Sequence, residues 1–475
     1  LPGALKQKTY YAKNNKRPNV ILIILDTLRK DGLSCYNNKV RTPFFESFCS
    51  EAQFYRNAIA PSPWTVPSSV SFFTGKYASD HGVHEELKGN VYPNVYEKLK
   101  NYSGELLAER LKKKGYNTLG ITSNDWIGPG TGFDRGFNAY MYNAGPVDTL
   151  INKIEKELRP EIRKYGSSFY EIAMNAIKGK INGFSFLKDY LYYRKMNKNL
   201  EDMGYPENKD GGNIVNILKN TSLEQPFLLF LNFMEAHEPY RTLYRKRKKY
   251  ASVGLLITAL YLEGKLNSDL ISDTLKDYYN ESFLIDNFVS EIIQYIKEEG
   301  VFDNTLFIVT SDHGQALFEK GFFGHGIFLY DEIIEVPLII KYPKNYRPIK
   351  DDEKKYFNIK DLFGLIDEIT DGENPEDMQK DISFSESFGS NVQVSALSVL
   401  NERLKSKLEE LVAPRKAVYK KGYKLVVNGI SGDVEEFKKG KINKDPKDEK
   451  EIFNEMLDEL YFFKGKEKFK LPQRL

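Results

Sequence analysis

Five histidines serve a chain of 475 residues, and they stand in four short polar strings: His81 in SDHGVHE, which also holds His84, His237 in MEAHEPY, His313 in TSDHGQ and His325 in FGHGIF. A histidine met alone is most often structural. Scarcity, and placement at or soon after the ends of apolar runs, turns these toward chemistry. Asp312 and His313 are adjacent, so a turn there can offer a hard oxygen and a borderline nitrogen to one divalent cation. Asp26 follows directly on the apolar run Val20–Leu25, where an Asp serves equally as a helix N-cap or as a ligand. Thr65 lies in SPWTVPSS and opens a helical pattern with Pro67 in its first turn. Its hydroxyl is either an ordinary cap or a group at the positive helix end, where anions bind.

The elements that must position these residues alternate. Val20–Leu25 is continuously apolar, as a strand covered on both faces of a parallel sheet must be. Glu105–Lys114 then reads as a helix and 115–122 as a strand. Asn213–Leu223 reads as a helix and 226–232 as a strand. Asn280–Glu299 reads as a long amphipathic helix and Thr305–Thr310 as a strand. This pattern predicts an α/β fold, a mostly parallel central sheet flanked by helices. In such sheets ligands bind beyond the carboxyl ends of the strands, which is where the polar strings fall. Residues 145–212 and 241–275 read as helical insertions that cover the sheet or shape access to it. From about 375 the character changes: Asp381–Ser387 and Lys416–Val427 read as strands and Glu449–Leu460 as a terminal helix. The expected division is a catalytic domain over 1–375 and a small α+β subdomain over 376–475.

Composition removes several classes. A net charge of +3 argues against nucleic acid as partner. Two cysteines, Cys35 and Cys49, exclude a disulfide framework and leave room for a single bridge. No apolar run reaches the ~20 residues of a membrane helix, so no integral membrane segment is expected. The basic opening segment LPGALKQKTYYAKNNKRPN lacks the apolar stretch of a signal peptide. A cytoplasmic protein is the expectation, with secretion open if an upstream segment has been removed. Oligomeric state is unreadable.

The strings RPNVILIILDTLRKDGLSCY, TPFFESF, SPWTVPSSVSFFTGKYASDHG, FLNFMEAHEPY, FIVTSDHGQ and FGHGIFLYDEIIEVPLII, in this order over about residues 17–345, resemble the sulfatase-like branch of the alkaline phosphatase superfamily. AVYKKGYKLVVN is similar to that family's small C-terminal domain. The resemblance implies Asp26, Asp312 and His313 as metal ligands, and Thr65 as a nucleophile that also coordinates the metal. It implies His237 at the transferred group or leaving oxygen and His325 at the bound anion. Asn124, and more loosely Lys76, are implied as substrate-binding. One divalent ion is expected (Mn, Zn, Mg or Ca). A second is not, because position 233, in the run that would hold it, is Phe.

Sulfatases resemble C/S-x-P-x-R at the nucleophile, where Cys or Ser is oxidised to formylglycine. Here the run is Thr65-Val-Pro-Ser-Ser69. Oxidation of threonine at its β-carbon gives a ketone, and Ser69 stands where the arginine would be. On that ground the expectation is a threonine-nucleophile member that hydrolyses phosphate esters (diesters, or phosphonate and phosphate monoesters) through a covalent threonine intermediate. The alternatives are a sulfatase working without formylglycine and a soluble phosphoryl-alcohol transferase. A silent binding protein disagrees with the intact set of Asp26, Thr65, Asp312 and His313. The substrate is then a small-molecule, glycan or lipid ester.

Overall fold

The computed structural model describes residues 17–38, 40–85, 91–158, 160–161, 164–165, 169–246, 268–389, 413–463 and 469–475. Its centre is a seven-stranded sheet. In chain order the strands are β1 (Asn19–Leu25), β2 (Gln53–Phe54), β3 (Asn117–Thr122), β4 (Ala139–Tyr142), β5 (Phe227–Phe233), β6 (Thr305–Thr310) and β7 (Leu338–Lys341). Their spatial order is β2-β7-β6-β1-β5-β3-β4. The five strands from β6 to β4 run parallel, and β7 lies antiparallel on β6.

The apolar run of β1 explains its central place. Val20, Leu22 and Ile24 enter the core on one face of the sheet, while Ile21, Ile23 and Leu25 enter the core on the other. A strand covered twice has no polar face to spare, so alternation disappears. The strand β5 behaves likewise, with Leu228 and Phe230 on one side and Leu229, Leu231 and Phe233 on the other. Each such side chain contributes about 1.5–3 kcal/mol on burial.

Helices cover both faces. They include α1 (Pro43–Glu51), α2 (Thr65–Thr74), α3 (Leu107–Lys113), α4 (Phe169–Ile177), α5 (Gly183–Asp202), α6 (Gly211–Lys219) and α7 (Ser268–Glu298). The helix α7 starts twelve residues before its expected Asn280. The reason lies in its apolar stripe: Leu270, Tyr278, Ile285, Val289, Ile292 and Ile296 all face the core beside β1 and β5. The insertion near 145–212 is helical, as α4 and α5 show. Of the stretch 241–275, the described part holds a short helix at Arg241–Lys246 and the start of α7; residues 247–267 lie outside the described residues.

A five-stranded antiparallel sheet forms the C-terminal subdomain: β8 (Ile382–Ser387), β9 (Arg415–Lys420), β10 (Tyr423–Asn428), β11 (Val434–Lys439) and β12 (Ile442–Asn443). What reads as one strand over 416–427 is a hairpin. Lys421 and Gly422 take φ of 52° and 79°, the two left-handed residues of a tight turn. A last helix, α8 (Lys450–Phe463), closes its own small core through Phe453, Met456, Leu457 and Leu460.

Candidate metal centre

Two parallel strands end side by side, and each delivers ligands. Asp26 follows β1, and Asp312 and His313 follow β6; all three are fully buried. Their ligand atoms lie within 4.8 Å of one another, the one such group found among the described residues. His313 Nε2 is 3.4 Å from Asp312 Oδ2 and 3.9 Å from Asp26 Oδ1. His313 Nδ1 lies 2.9 Å from the Gly314 carbonyl. A carbonyl only accepts, so Nδ1 carries a proton and Nε2 is the nitrogen turned to the cluster.

Backbone geometry helps to aim Asp26. The next residue, Thr27, has φ of 59°, a left-handed conformation that a β-branched side chain adopts only under constraint. Tyr278 of α7 supplies that constraint, donating to the Thr27 carbonyl and accepting from the Arg29 amide.

Thr65 is the first residue of α2, and Trp64 holds the cap position. The Thr65 hydroxyl therefore does not cap the helix. It sits 3.4 Å from Asp26 Oδ2 and 3.3 Å from His313 Nε2, at the positive end of a ten-residue helix. Ser68, one turn on, donates to the Asp312 carbonyl at 2.6 Å and ties α2 to the strand end. Four side chains separated by up to 287 positions thus converge beyond the ends of β1 and β6.

The electrostatics of the cluster are unfinished. Asp26 Oδ1 and Asp312 Oδ2 are buried and accept no hydrogen bond among the described residues. Burial, with Asp312 alongside, pushes the Asp26 carboxyl well above its ordinary range, against hydrogen bonds from Asn124 and Thr65. Two carboxylates, an imidazole nitrogen and a hydroxyl form a donor set that suits one divalent cation, and the two orphaned oxygens are the atoms such an ion would satisfy.

Around this core the other expected residues divide. The His325 ring lies 4.5 Å from that of His313, and the His237 ring 5.2 Å from that of His325, so both belong to the site. Burial pushes His237 down to about 4 and His325 well below its ordinary value, so both imidazoles are neutral at pH 7 in the absence of an anion. Asn124 is present too, but its amide donates to Asp26 Oδ2 at 2.6 Å while its oxygen caps the Trp126 amide. Its recorded work is to orient a ligand. Lys76 is not brought in. It follows the far end of α2, about 15 Å along the axis from Thr65. Its ammonium lies over the Tyr102 ring in a surface cleft with Asp80 and Glu97.

Sequence reasoning missed the groups behind the histidines. Gln315 donates to Glu238 Oε2 at 2.8 Å, and its own oxygen faces His325 Nδ1 at 2.6 Å. The carboxylate orients the amide, and the amide oxygen then holds the proton on His325 Nδ1. The His237 Nδ1 is held in the same way by the Glu238 carbonyl at 2.8 Å. The only available signal was adjacency, Gln315 within TSDHGQ and Glu238 beside His237. Asn232, at the end of β5, is also buried here, its oxygen held by Thr122 at 3.0 Å.

Comparison with known proteins bears on the chemistry. The family model named Sulfatase matches residues 18–370. The uncharacterized sulfatase YidJ of Escherichia coli K12 is 23% identical over 384 residues, covering 76% of this chain and 69% of YidJ. The N-acetylglucosamine-6-O-sulfatase of Bacteroides thetaiotaomicron is 23% identical over 384 residues, covering 70% of this chain and 64% of that enzyme, under two thirds of its length. Among solved structures, that of BT1596, a 2-O GAG sulfatase, superposes with a TM-score of 0.64 at 15% identity, over 94% of this chain and 92% of the other.

These findings correct two expectations. The chain does not stand apart in a threonine-nucleophile branch, and the reading as a phosphate-ester hydrolase with a covalent threonine intermediate does not hold. That reading weighed two positions, Thr65 and Ser69, against a likeness to sulfatases that runs through the whole sheet and its strand-end loops. With residues 18–370 matched and the cluster of Asp26, Asp312 and His313 inside that span, the chain belongs to the Sulfatase family.

Proposed function

We propose that the protein is a sulfuric ester hydrolase that uses one divalent cation and removes sulfate from a carbohydrate. The single observation that carries this is the family match over residues 18–370 with the buried, uncompensated Asp26–Asp312–His313 cluster inside it. The carbohydrate is suggested by relatives that are named as sulfatases of N-acetylglucosamine, N-acetylgalactosamine and ulvan.

In this reading Asp26, Asp312, His313 and Thr65 hold the cation. When bound, it supplies Lewis-acid withdrawal of charge from a non-bridging sulfuryl oxygen. The chain's own residues do the rest. Thr65 Oγ1, at the positive end of α2, contacts the sulfuryl group, and the helix dipole favours the anion there. Asn124 keeps the Asp26 carboxylate in register. His325, its Nδ1 proton pinned by Gln315, uses Nε2 toward the anion. His237, pinned by the Glu238 carbonyl, uses Nε2 toward the leaving alcohol oxygen. A sulfate ester beside the two rings raises both histidines from their depressed values, because a nearby negative charge favours imidazolium. The protonated His237 can then neutralise the departing alkoxide. Water is the acceptor: the ester and water yield the free hydroxyl and sulfate.

The test measures sulfate released from 6-O-sulfated N-acetylglucosamine and from an aryl sulfate, with the matching phosphate esters run in parallel. Release of sulfate, lost in Asp312→Asn, supports the proposal. Turnover of the phosphate esters without release of sulfate overturns it.

A further inference from the structure

Away from the metal centre, α4 and α5 follow one another in the helical insertion, joined by the short turn 178–182, and are called here the α4–α5 hairpin. One side of α5 is accounted for: Tyr193, Met196 and Leu200 pack at helical spacing onto Val147 and Ile154. The opposite side is not. Phe184 (79% exposed), Leu187 (51%) and Leu191 (57%) repeat at i, i+3 and i+7, and Ile177 (79%) stands across the turn at the end of α4. Burial of these side chains is normally worth more than leaving them in water, and four exposed so close in the chain mark an interaction surface.

The charge beside them identifies the partner. Between 171 and 198 the chain carries six basic residues against two acidic, Glu171 and Asp189. Asp189 already accepts from the Tyr165 hydroxyl at 2.6 Å. Lys188 and Lys195 follow Phe184 and Leu191 by four residues and so fall on the same face, both exposed. Lys178 and Lys180 occupy the turn beside Ile177, also exposed. An apolar tip with ammonium groups around it fits a layered partner: a hydrocarbon interior beneath a sheet of negative headgroups. A sulfated polysaccharide would meet the lysines and could lay a sugar face on Phe184, but it offers no apolar interior for Ile177, Leu187 and Leu191. A second copy of the chain would set like charges against each other.

We propose that this hairpin docks the protein on an anionic membrane surface. Ile177, Phe184, Leu187 and Leu191 enter the headgroup boundary, and the lysines lie at phosphate level. Among the described residues no helix is long and apolar enough to cross a membrane, so this attachment is peripheral and reversible. It does not depend on which ester the metal centre cleaves.

The experiment is co-sedimentation of the full chain with vesicles of phosphatidylcholine alone and with 30% phosphatidylglycerol. Binding to the anionic vesicles that falls as sodium chloride is raised supports the proposal. So does a loss of roughly tenfold or more in the double variant Ile177→Ser, Phe184→Ser, with hydrolysis of a small soluble ester unchanged. Three results overturn it: no binding to anionic vesicles, equal binding by the double variant, or a concentration-dependent dimer that the double variant abolishes. Binding to soluble heparin that requires Lys178 and Lys188 but not Phe184, without vesicle binding, assigns the face to a glycan and also overturns it.

Discussion

At the ends of β1 and β6, Asp26 and Asp312 face the His313 imidazole and the Thr65 hydroxyl, and no lysine or arginine among the described residues pairs with them. Where the C-terminal sheet meets the catalytic core, Asp331 and Glu436 are also largely buried, but lysines surround them. Lys424 reaches Asp331 at 2.7 Å and Lys438 reaches both acids at 2.5 Å. Lys320 adds a contact to Glu436 at 3.1 Å, and the Tyr419 hydroxyl donates to Asp331. The consequences for ionisation are opposite. Burial works against the Asp331 charge, yet Lys424 and Lys438 outweigh it and hold the carboxyl well below its ordinary range. Burial and a neighbouring acid push Asp26 the other way. A structural ion network completes its own charge balance. A metal centre leaves the balance open, and the missing charge specifies the ligand.

The largest expected effect comes from removing a ligand at the open cluster. Asp312→Asn lowers sulfate release about 10³-fold or more, read as initial rate on the best sulfate ester. Without metal the same change relieves a buried repulsion, so the chelated variant melts no lower than chelated wild type. A variant that is inactive and also strongly destabilised without metal would break the comparison. At the closed cluster the expectation reverses. Lys424→Met removes one of the two short lysine contacts to Asp331 while Lys438 stays, costs about 1.5–3 kcal/mol of stability in a denaturant melt, and leaves the rate per folded molecule unchanged.

Metal removal comes next. Saturation of the site at about 100-fold above its dissociation constant adds about 2.7 kcal/mol to wild type, seen as a fall in melting temperature on chelation. Lys424→Met shows the same fall and Asp26→Asn shows none. A smaller effect sharpens the contrast among histidines. His81 also lies under α2, but its partners are complete: Nδ1 accepts the Val83 amide at 3.0 Å, and Nε2 meets Pro67 and Ser71. Burial holds it down to about 3. Its neutral form is the one that fits, so its contribution is intact above pH ~6.5 and is lost as the pH falls toward 3. The stability of wild type therefore declines by up to one proton's worth of slope in that window. His81→Gln flattens that limb, and an unchanged slope would contradict the assignment.

How legible this was in the sequence follows from the kind of signal each residue carried. The sheet could be read because β1 and β5 are buried on both faces and show it as unbroken apolar runs. Asp26, Asp312 and His313 could be read because each stands next to such a run. The extent of α7 could not, since its first twelve residues pack through a sparse stripe with polar residues between. Lys76 looked close to Thr65 in number, but a helix carried it to the opposite end of α2. The bond from Asn124 to Asp26 could not be read, because 98 positions separate the two and only folding brings them together. The relay from Glu238 through Gln315 to His325 joins loops 77 positions apart, and no local pattern announces such a pairing. The class of ester was misjudged by reading Thr65 and Ser69 in isolation from the long span around them.

The most direct test is calorimetric titration of the chelator-treated protein with divalent calcium, magnesium, manganese and zinc in turn, on wild type and Asp312→Asn. One equivalent of at least one of these ions bound per chain by wild type, lost in the variant together with sulfate release, is the result expected from a cluster built around a missing charge. No binding by wild type, or binding that Asp312→Asn leaves intact, would contradict it.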